Sequence, residues 1–405
     1  MTTLCLYTSG FPYGSGEQFI ETEIKYLVKE FDRVVIIPAN ISGPRRELPD
    51  GVEILQPEYS GFTKLKGLLS IGWWVLYCLK DVWRHPNKIL IISAILHRGY
   101  EAKIMDAFLK KHHLKHNTLH YTYWFTDQST ILAILKSRGK IEHFVSRAHG
   151  YDLYFERRKE GFIPFRKFQL KQVSRLFLIS KNGVDYMKKK YPRFASKYRL
   201  SYMGTENSES PLLSPPPENN TYIVVSCSMV IKLKRIDLIV RALAEIKDIK
   251  IRWVHFGDGI LSEDVKDLAQ RLLPKNIKAE FKGLVPNDTV LKFFRDNYID
   301  CFINVSSSEG LPVSIMEATS FGIPVLATDV GGTKEIVNSE TGILMPASPD
   351  PHSVANNLRL ILETKARNPE ARLKTYNFWN SHFNAKNNYI AFCKSLKETN
   401  RPLGR

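Results

Sequence analysis

Cysteine is scarce and scattered: the chain has five in 405 residues (Cys5, Cys78, Cys227, Cys301 and Cys393), with no C-x-x-C pair and no Cys/His ligand spacing. That disfavours a disulfide framework and a zinc site, and points to reduced core thiols in a cytosolic protein. Long apolar runs are missing too. The most apolar stretch, Gly67 to Leu79, has thirteen residues, short of the roughly 20 that a helix needs to span a bilayer. The N-terminus, MTTLCLYTSGFPYG, begins directly on a strand pattern, without the basic and apolar segments of an export signal. No internal repeat, no nucleic-acid motif and no D-x-D pair occurs; only Glu21-Thr22-Glu23 has carboxylates at that spacing.

What is present fits a soluble protein of two domains. Hydrophobic residues make up 43 % and charged residues 24 %, both ordinary values. The net charge of +17 is lopsided: residues 1–205 hold 33 basic against 18 acidic side chains, and residues 206–405 hold 25 against 23. A basic half attracts anionic lipid, phosphorylated substrate or nucleic acid through one field. Without a nucleic-acid motif, nucleic acid is not the expected partner. The Gly67–Leu79 run carries Trp73 and Trp74, flanked by Lys64, Lys66, Lys80 and Arg84. It suits either an interfacial helix on an anionic membrane or a buried helix with basic ends.

Strand and helix signals fall in two series. Leu4–Thr8, Arg33–Pro38, Thr118–Tyr123, Phe144–Ala148 and Leu176–Ser180 look like strands, with helices at Gln18–Glu30 and from Asn182 toward Lys190. Glu206–Asn220, rich in Pro, Ser and Asn, is the clearest linker. The second series has strands at Thr221–Ser228, Ile251–Phe256, Ala279–Lys282, Cys301–Val305 and Ile323–Ala327, with helices at Arg235–Ile246 and Ser262–Leu273. The tail from Pro351 to about Lys397 reads as helices. Such alternation predicts parallel, doubly wound α/β sheets that bind ligands beyond the carboxyl ends of their strands.

The chemistry concentrates in Ser306–Thr328, SSSEGLPVSIMEATSFGIPVLAT. Glu309 and Glu317 lie eight positions apart, separated by Gly310, Leu311 and Pro312. Pro312 suits a first helical position and Gly322 a helix stop, which would put Glu309 on the entry loop and Glu317 about two turns into the helix. Exposed amides at a helix start meet anions. Two carboxylates flanking them suit a ligand with hydroxyls at both ends and phosphates between, as in a nucleotide sugar. Four further segments follow strands. They are the glycine loop Ser9–Glu17 with Gly14 and Gly16, Ser146–Asp152 with His149, Ser228–Asp237 with Lys234, and the turns holding Gly257, Gly259, Gly283 and Leu284. The glycine loop lacks the full dinucleotide fingerprint, which disfavours hydride transfer.

These segments together resemble the retaining GT-B glycosyltransferases of family 4. The likeness is dense from Cys227 to Pro346, recognisable at 9–23 and 144–155, and thin elsewhere. It implies two Rossmann-like domains facing across a cleft: an acceptor-binding domain at 1–205, a nucleotide-sugar-binding domain at 206–380, and a C-terminal helix at 381–405 packing back on the first. It further implies hexosyl transfer from a UDP-, GDP- or ADP-type sugar, with retention and without a metal. Glu309 and His149 would contact the sugar, Lys234 the diphosphate, Glu317 the ribose. Gly14, Gly16, Gly257, Gly259, Gly283, Leu284, Gly310 and Leu311 would line the donor. Met229 stands where the family places an arginine, so the diphosphate cation there is missing or supplied from elsewhere. The implied acceptor is a lipid-linked saccharide or surface polysaccharide, and the implied location the cytoplasm, at the inner membrane face. The alternatives are a nucleotide-sugar hydrolase or epimerase, or a catalytically weak partner protein held at a membrane.

Overall fold

Short runs of apolar and β-branched residues build both sheets. In the computed structural model, which describes residues 2–14, 16–158, 160–207 and 220–400, the first half contributes seven strands. They are β1 Thr3–Thr8, β2 Arg33–Pro38, β3 Val52–Ile54, β4 Thr118–Thr122, β5 Phe144–Ala148, β6 Arg175–Leu178 and β7 Tyr198–Leu200. All pair in parallel in the order β3-β2-β1-β4-β5-β6-β7. Every residue of β4 and β5 is buried, as expected of strands covered by helices on both faces. The helix Phe19–Glu30 shows how one face is covered: Ile20, Ile24 and Leu27, spaced four and three apart, are buried.

The second sheet repeats the design with β8 Thr221–Cys227, β9 Lys250–Phe256, β10 Ile277–Phe281, β11 Cys301–Asn304, β12 Val325–Thr328 and β13 Gly342–Met345. Its order is β10-β9-β8-β11-β12-β13, again all parallel. In both sheets the winding reverses beside the first strand, between β1 and β4 and between β8 and β11. That reversal is the switch point where doubly wound sheets bind ligands.

The chain forms two compact units. One runs to Ser201 and takes up the chain again from Tyr389; the other is Tyr202–Asn388. The sequence reading put these joins at 205/206 and 380/381. The linker read at Glu206–Asn220 lies, from 208 to 219, outside the described residues. The last helix, Ala385–Asn400, begins in the second unit and ends in the first. There Phe392, Cys393 and Leu396 are buried with Leu4, Leu6, Tyr121 and Phe177. The Phe392 ring meets Tyr121 at 5.4 Å and Phe177 at 5.0 Å. Beneath it the buried Arg147 guanidinium pairs with Glu23 and lies 4.0 Å from the Phe392 ring centre.

Two expectations change. The Gly67–Leu79 run is not one helix: Lys64–Leu68 and Val75–Arg84 are helical, with a break between them. All five cysteines are free, but Cys227 is only half-buried. Among the described residues no helix is long and apolar enough to cross a membrane.

Candidate functional site

The loops after β8, β11 and β12 meet at the switch point of the second sheet. After β8 the chain makes a tight turn at Lys232–Lys234. Arg235 then takes the left-handed conformation (φ 51°) and begins the helix Ile236–Ala244. Its guanidinium donates to the carbonyls of Val305 (2.6 Å), Ser306 (2.9 Å) and Ala347 (2.9 Å). Ser307 reinforces the join, its N–H donating to the Leu233 carbonyl at 2.8 Å. The β8 loop is thus stitched to the end of β11, and Lys234 is carried to Glu309. The ammonium lies 2.6 Å from the Glu309 carboxylate. The Asn304 amide adds a longer hydrogen bond of 3.3 Å to the same oxygen.

Glu309 is buried and precedes the helix Val313–Ser320. Pro312 is its N-cap with extended backbone, one position earlier than the sequence reading had it, and no side chain caps the start. The first-turn amides therefore have neither a helical nor a side-chain acceptor, the arrangement that suits an anion. At the other end Gly322 is left-handed (φ 68°), its N–H donating to Thr319 and that of Ile323 to Ala318. This is the Schellman stop expected of glycine. The helix is two turns long, which brings Glu317 one turn from its start rather than two.

Glu317 is also buried. Burial pushes its carboxyl up to about 7, although the Asn287 side-chain amide, donating at 3.0 Å, favours the ionised form. Asn287 opens the preceding helix, Asn287–Asp296, and nothing local in the sequence ties it to Glu317. The loop after β12 packs so tightly on the Glu309 loop that a Cβ on Gly331 would lie 1.9 Å from the Glu309 carbonyl oxygen. Gly332 donates to the Gly310 carbonyl at 2.7 Å, and Leu311 is buried.

The remaining glycines at this edge hold backbones together. A Cβ on Gly257 would fall 1.9 Å from the Ser228 carbonyl oxygen, and one on Gly259 2.4 Å from that of Val230. The Gly257 N–H donates to the Gly283 carbonyl at 2.8 Å. The Leu284 side chain projects outward, 82 % exposed, and Met229 is exposed as well. Of the cations near Met229 in sequence, Arg235 is committed to three carbonyls and Lys234 to Glu309, while Lys232 is exposed.

In the first unit, His149 follows β5 and is buried against the rings of Tyr123 (4.7 Å) and Trp124 (4.5 Å). Its backbone N–H donates to Asp152 at 2.8 Å, and Nδ1 lies 3.7 Å from that carboxylate. Burial opposes the charge on Asp152, but the His149 ring and the amides of Phe125 and His149 outweigh it and hold the carboxyl below its usual range. Neither ring nitrogen has a hydrogen-bond partner among the described residues, and both are buried.

The glycine loop is arranged differently from a bare anion cradle. Glu17, itself left-handed (φ 57°), turns its carboxylate into the loop. It accepts from the N–H groups of Ser9 (2.9 Å), Gly10 (2.8 Å) and Phe11 (2.8 Å) and from the Trp124 indole (2.6 Å). Gly14 donates to the Pro44 carbonyl, and the Arg46 side chain donates to the carbonyls of Gly14 and Gly16. Neither Glu17 nor Arg46 was singled out from sequence.

The chain is similar to known proteins in sequence and in fold. Residues 214–378 match the family model of glycosyl transferases group 1. The sulfoquinovosyl transferase SQD2 of Arabidopsis thaliana is 25 % identical over 43 % of this chain and 31 % of its own length. The Escherichia coli O-antigen biosynthesis glycosyltransferase WclY is 31 % identical over 26 % of this chain and 28 % of its own. The chain thus spans less than half the length of these relatives. Anabaena Alr3699/HepE in complex with UDP aligns over 98 % of this chain and 100 % of its own, at 16 % identity and a TM-score of 0.68. Residues 214–378 thus resemble the group 1 glycosyl transferases, and the fold of the chain is GT-B.

Proposed function

We propose that the protein transfers a hexosyl unit from a nucleoside diphosphate sugar to an acceptor hydroxyl, with retention at the anomeric carbon and without a metal ion. The observation that carries this reading is the Lys234–Glu309 pair, 2.6 Å apart, at the uncapped start of a helix that buries Glu317 one turn on. The diphosphate would sit on the first-turn amides. Lys234 would turn toward it, adding positive charge where negative charge grows as the bond to the sugar breaks. Released from Lys234, the Glu309 carboxylate would accept from hydroxyls of the sugar and hold the ring. Glu317 would accept from the ribose hydroxyls, with Asn287 fixing its orientation. His149 would contact the sugar. No nucleophile is required if the acceptor attacks on the face the diphosphate leaves, the departing phosphate oxygen taking the acceptor proton.

HepE binds UDP and UDP-glucose in its structures, which supports the donor class. A lipid-linked saccharide or surface polysaccharide is the proposed acceptor, in line with the O-antigen role of WclY. A thermal-shift screen of UDP, GDP, ADP and their sugars tests the donor, and one nucleotide should raise the melting temperature. Glu317→Ala should abolish that rise, and EDTA should leave transfer unchanged. Donor turnover in acceptor-free buffer matching that with acceptor would point to a hydrolase or epimerase. Undiminished binding and transfer in the Glu317 variant would remove the site assignment.

A further inference from the structure

The segment from Lys64 to Ile92 has its polarity inverted. The helix Val75–Arg84 turns Cys78 inward with Trp74 just before it and His85 just after, all buried. Its outward positions, at spacing i, i+3 and i+7, are Leu76, Leu79 and Trp83, all exposed, Trp83 at 78 %. A helix in contact with water alone carries polar residues there. Leu68, Leu69 and Trp73 before this helix, and Ile89 and Leu90 after it, are exposed as well. Large apolar side chains exposed in such number along one segment mark an interaction site.

We propose that this face docks on an anionic lipid bilayer. Charge selects the partner. Residues 59–98 contain Lys64, Lys66, Lys80, Arg84, Lys88 and Arg98 against a single acid, Asp81. Asp81 is turned inward, accepting from the Phe165 N–H at 2.8 Å. Cations also sit on the aromatic rings of the face: the Lys88 ammonium is 5.2 Å from the Trp83 ring centre and that of Lys171 4.1 Å from Tyr77. Aromatic rings at headgroup depth with lysines reaching past them to phosphate are how proteins sit in a bilayer interface. A second copy of the chain is the poorer occupant, because a two-fold contact would set this cationic surface against itself. The reading does not depend on sugar transfer, and neither does its test.

Vesicle sedimentation of the full chain decides the matter, using phosphatidylglycerol–phosphatidylcholine vesicles against pure phosphatidylcholine. The wild type should bind the anionic vesicles, and Lys80→Glu with Arg84→Glu should weaken that binding by about tenfold or more. Leu76→Glu with Trp83→Glu should abolish it while leaving the circular dichroism spectrum and the thermal unfolding transition in place. Brominated lipid, added to unmodified protein, should quench tryptophan fluorescence, and Trp83→Phe should reduce the quenching. Equal sedimentation of both double variants and the wild type, or absence of quenching, would overturn the proposal. So would a lipid-free dimer that Leu76→Glu with Trp83→Glu dissolves.

Discussion

Glu317 is held at a cost to the fold. Its carboxyl titrates near 7 in the folded chain against an ordinary 4.5. A raised folded-state value means that the folded form keeps its proton longer. The penalty is absent below pH 4.5, grows as pH rises, and is complete above about 7. From that shift it amounts to roughly 3 kcal/mol. Glu317→Gln should therefore raise the melting temperature at pH 8 and have little effect at pH 4.5, as calorimetry at the two pH values would show. The same variant should lose nucleotide affinity. In the wild type, affinity should weaken about tenfold between pH 8 and pH 6, as the carboxylate proposed to accept from the ribose hydroxyls gains a proton. Titration calorimetry across that range checks the slope, which the Gln variant should lack.

Lys234 belongs to the same scale. Lys234→Ala should lower kcat by about a hundredfold or more if its charge is used in the transition state, with a smaller change in KM. Steady-state kinetics separates the two. Among residues legible before the structure, Glu309, Glu317, Lys234 and His149 stood out because each follows a strand within a recognisable segment. Asn287 and Glu17 did not. Asn287 reaches Glu317 across 30 positions, and Glu17 enters its loop only through a left-handed backbone.

Among the elements, legibility followed burial. Strands in the middle of each sheet are covered on both faces and leave continuous apolar runs, which marked β1, β4, β5, β8 and β11 within a residue or two. Not recognised were β3, β7 and β13, and each is a sheet edge. Only one of the six residues of β3 and β7 is buried, and β13 is buried only at its ends, so no run announces them. The Gly67–Leu79 segment, open between surface and core in the sequence, holds both: Trp74 and Cys78 are buried, while Leu76 and Leu79 are exposed. Gly257 and Gly259 bring the loops after β8 and β9 together. Gly257→Ala should force the β8 and β9 loops apart, because its left-handed φ of 128° and the Ser228 carbonyl leave no room for a Cβ. A loss of more than about 1 kcal/mol in urea unfolding is expected, together with a weaker response to nucleotide.

At the scale of the molecule, the two units are joined by more than the stretch after Ser201. Residues from Tyr389 onward belong to the first unit although they come last in the chain. Phe392 closes the apolar layer over β1, β4 and β6 and covers the Arg147–Glu23 pair. Phe392→Ala should cost about 3–5 kcal/mol, read as a lower melting temperature of the first unit. Nucleotide binding by the second unit should be spared at temperatures below that transition.

This return of the chain also governs how the protein is made. Domains generally fold in order of synthesis as they leave the ribosome. Here the first unit emerges early, yet the layer over β1, β4 and β6 stays open until residues 389–400 have been translated. The second unit, whose strands are all made by Met345, can close its sheet first. In a time course of protease resistance during translation, the later-made unit should become protected before the earlier one.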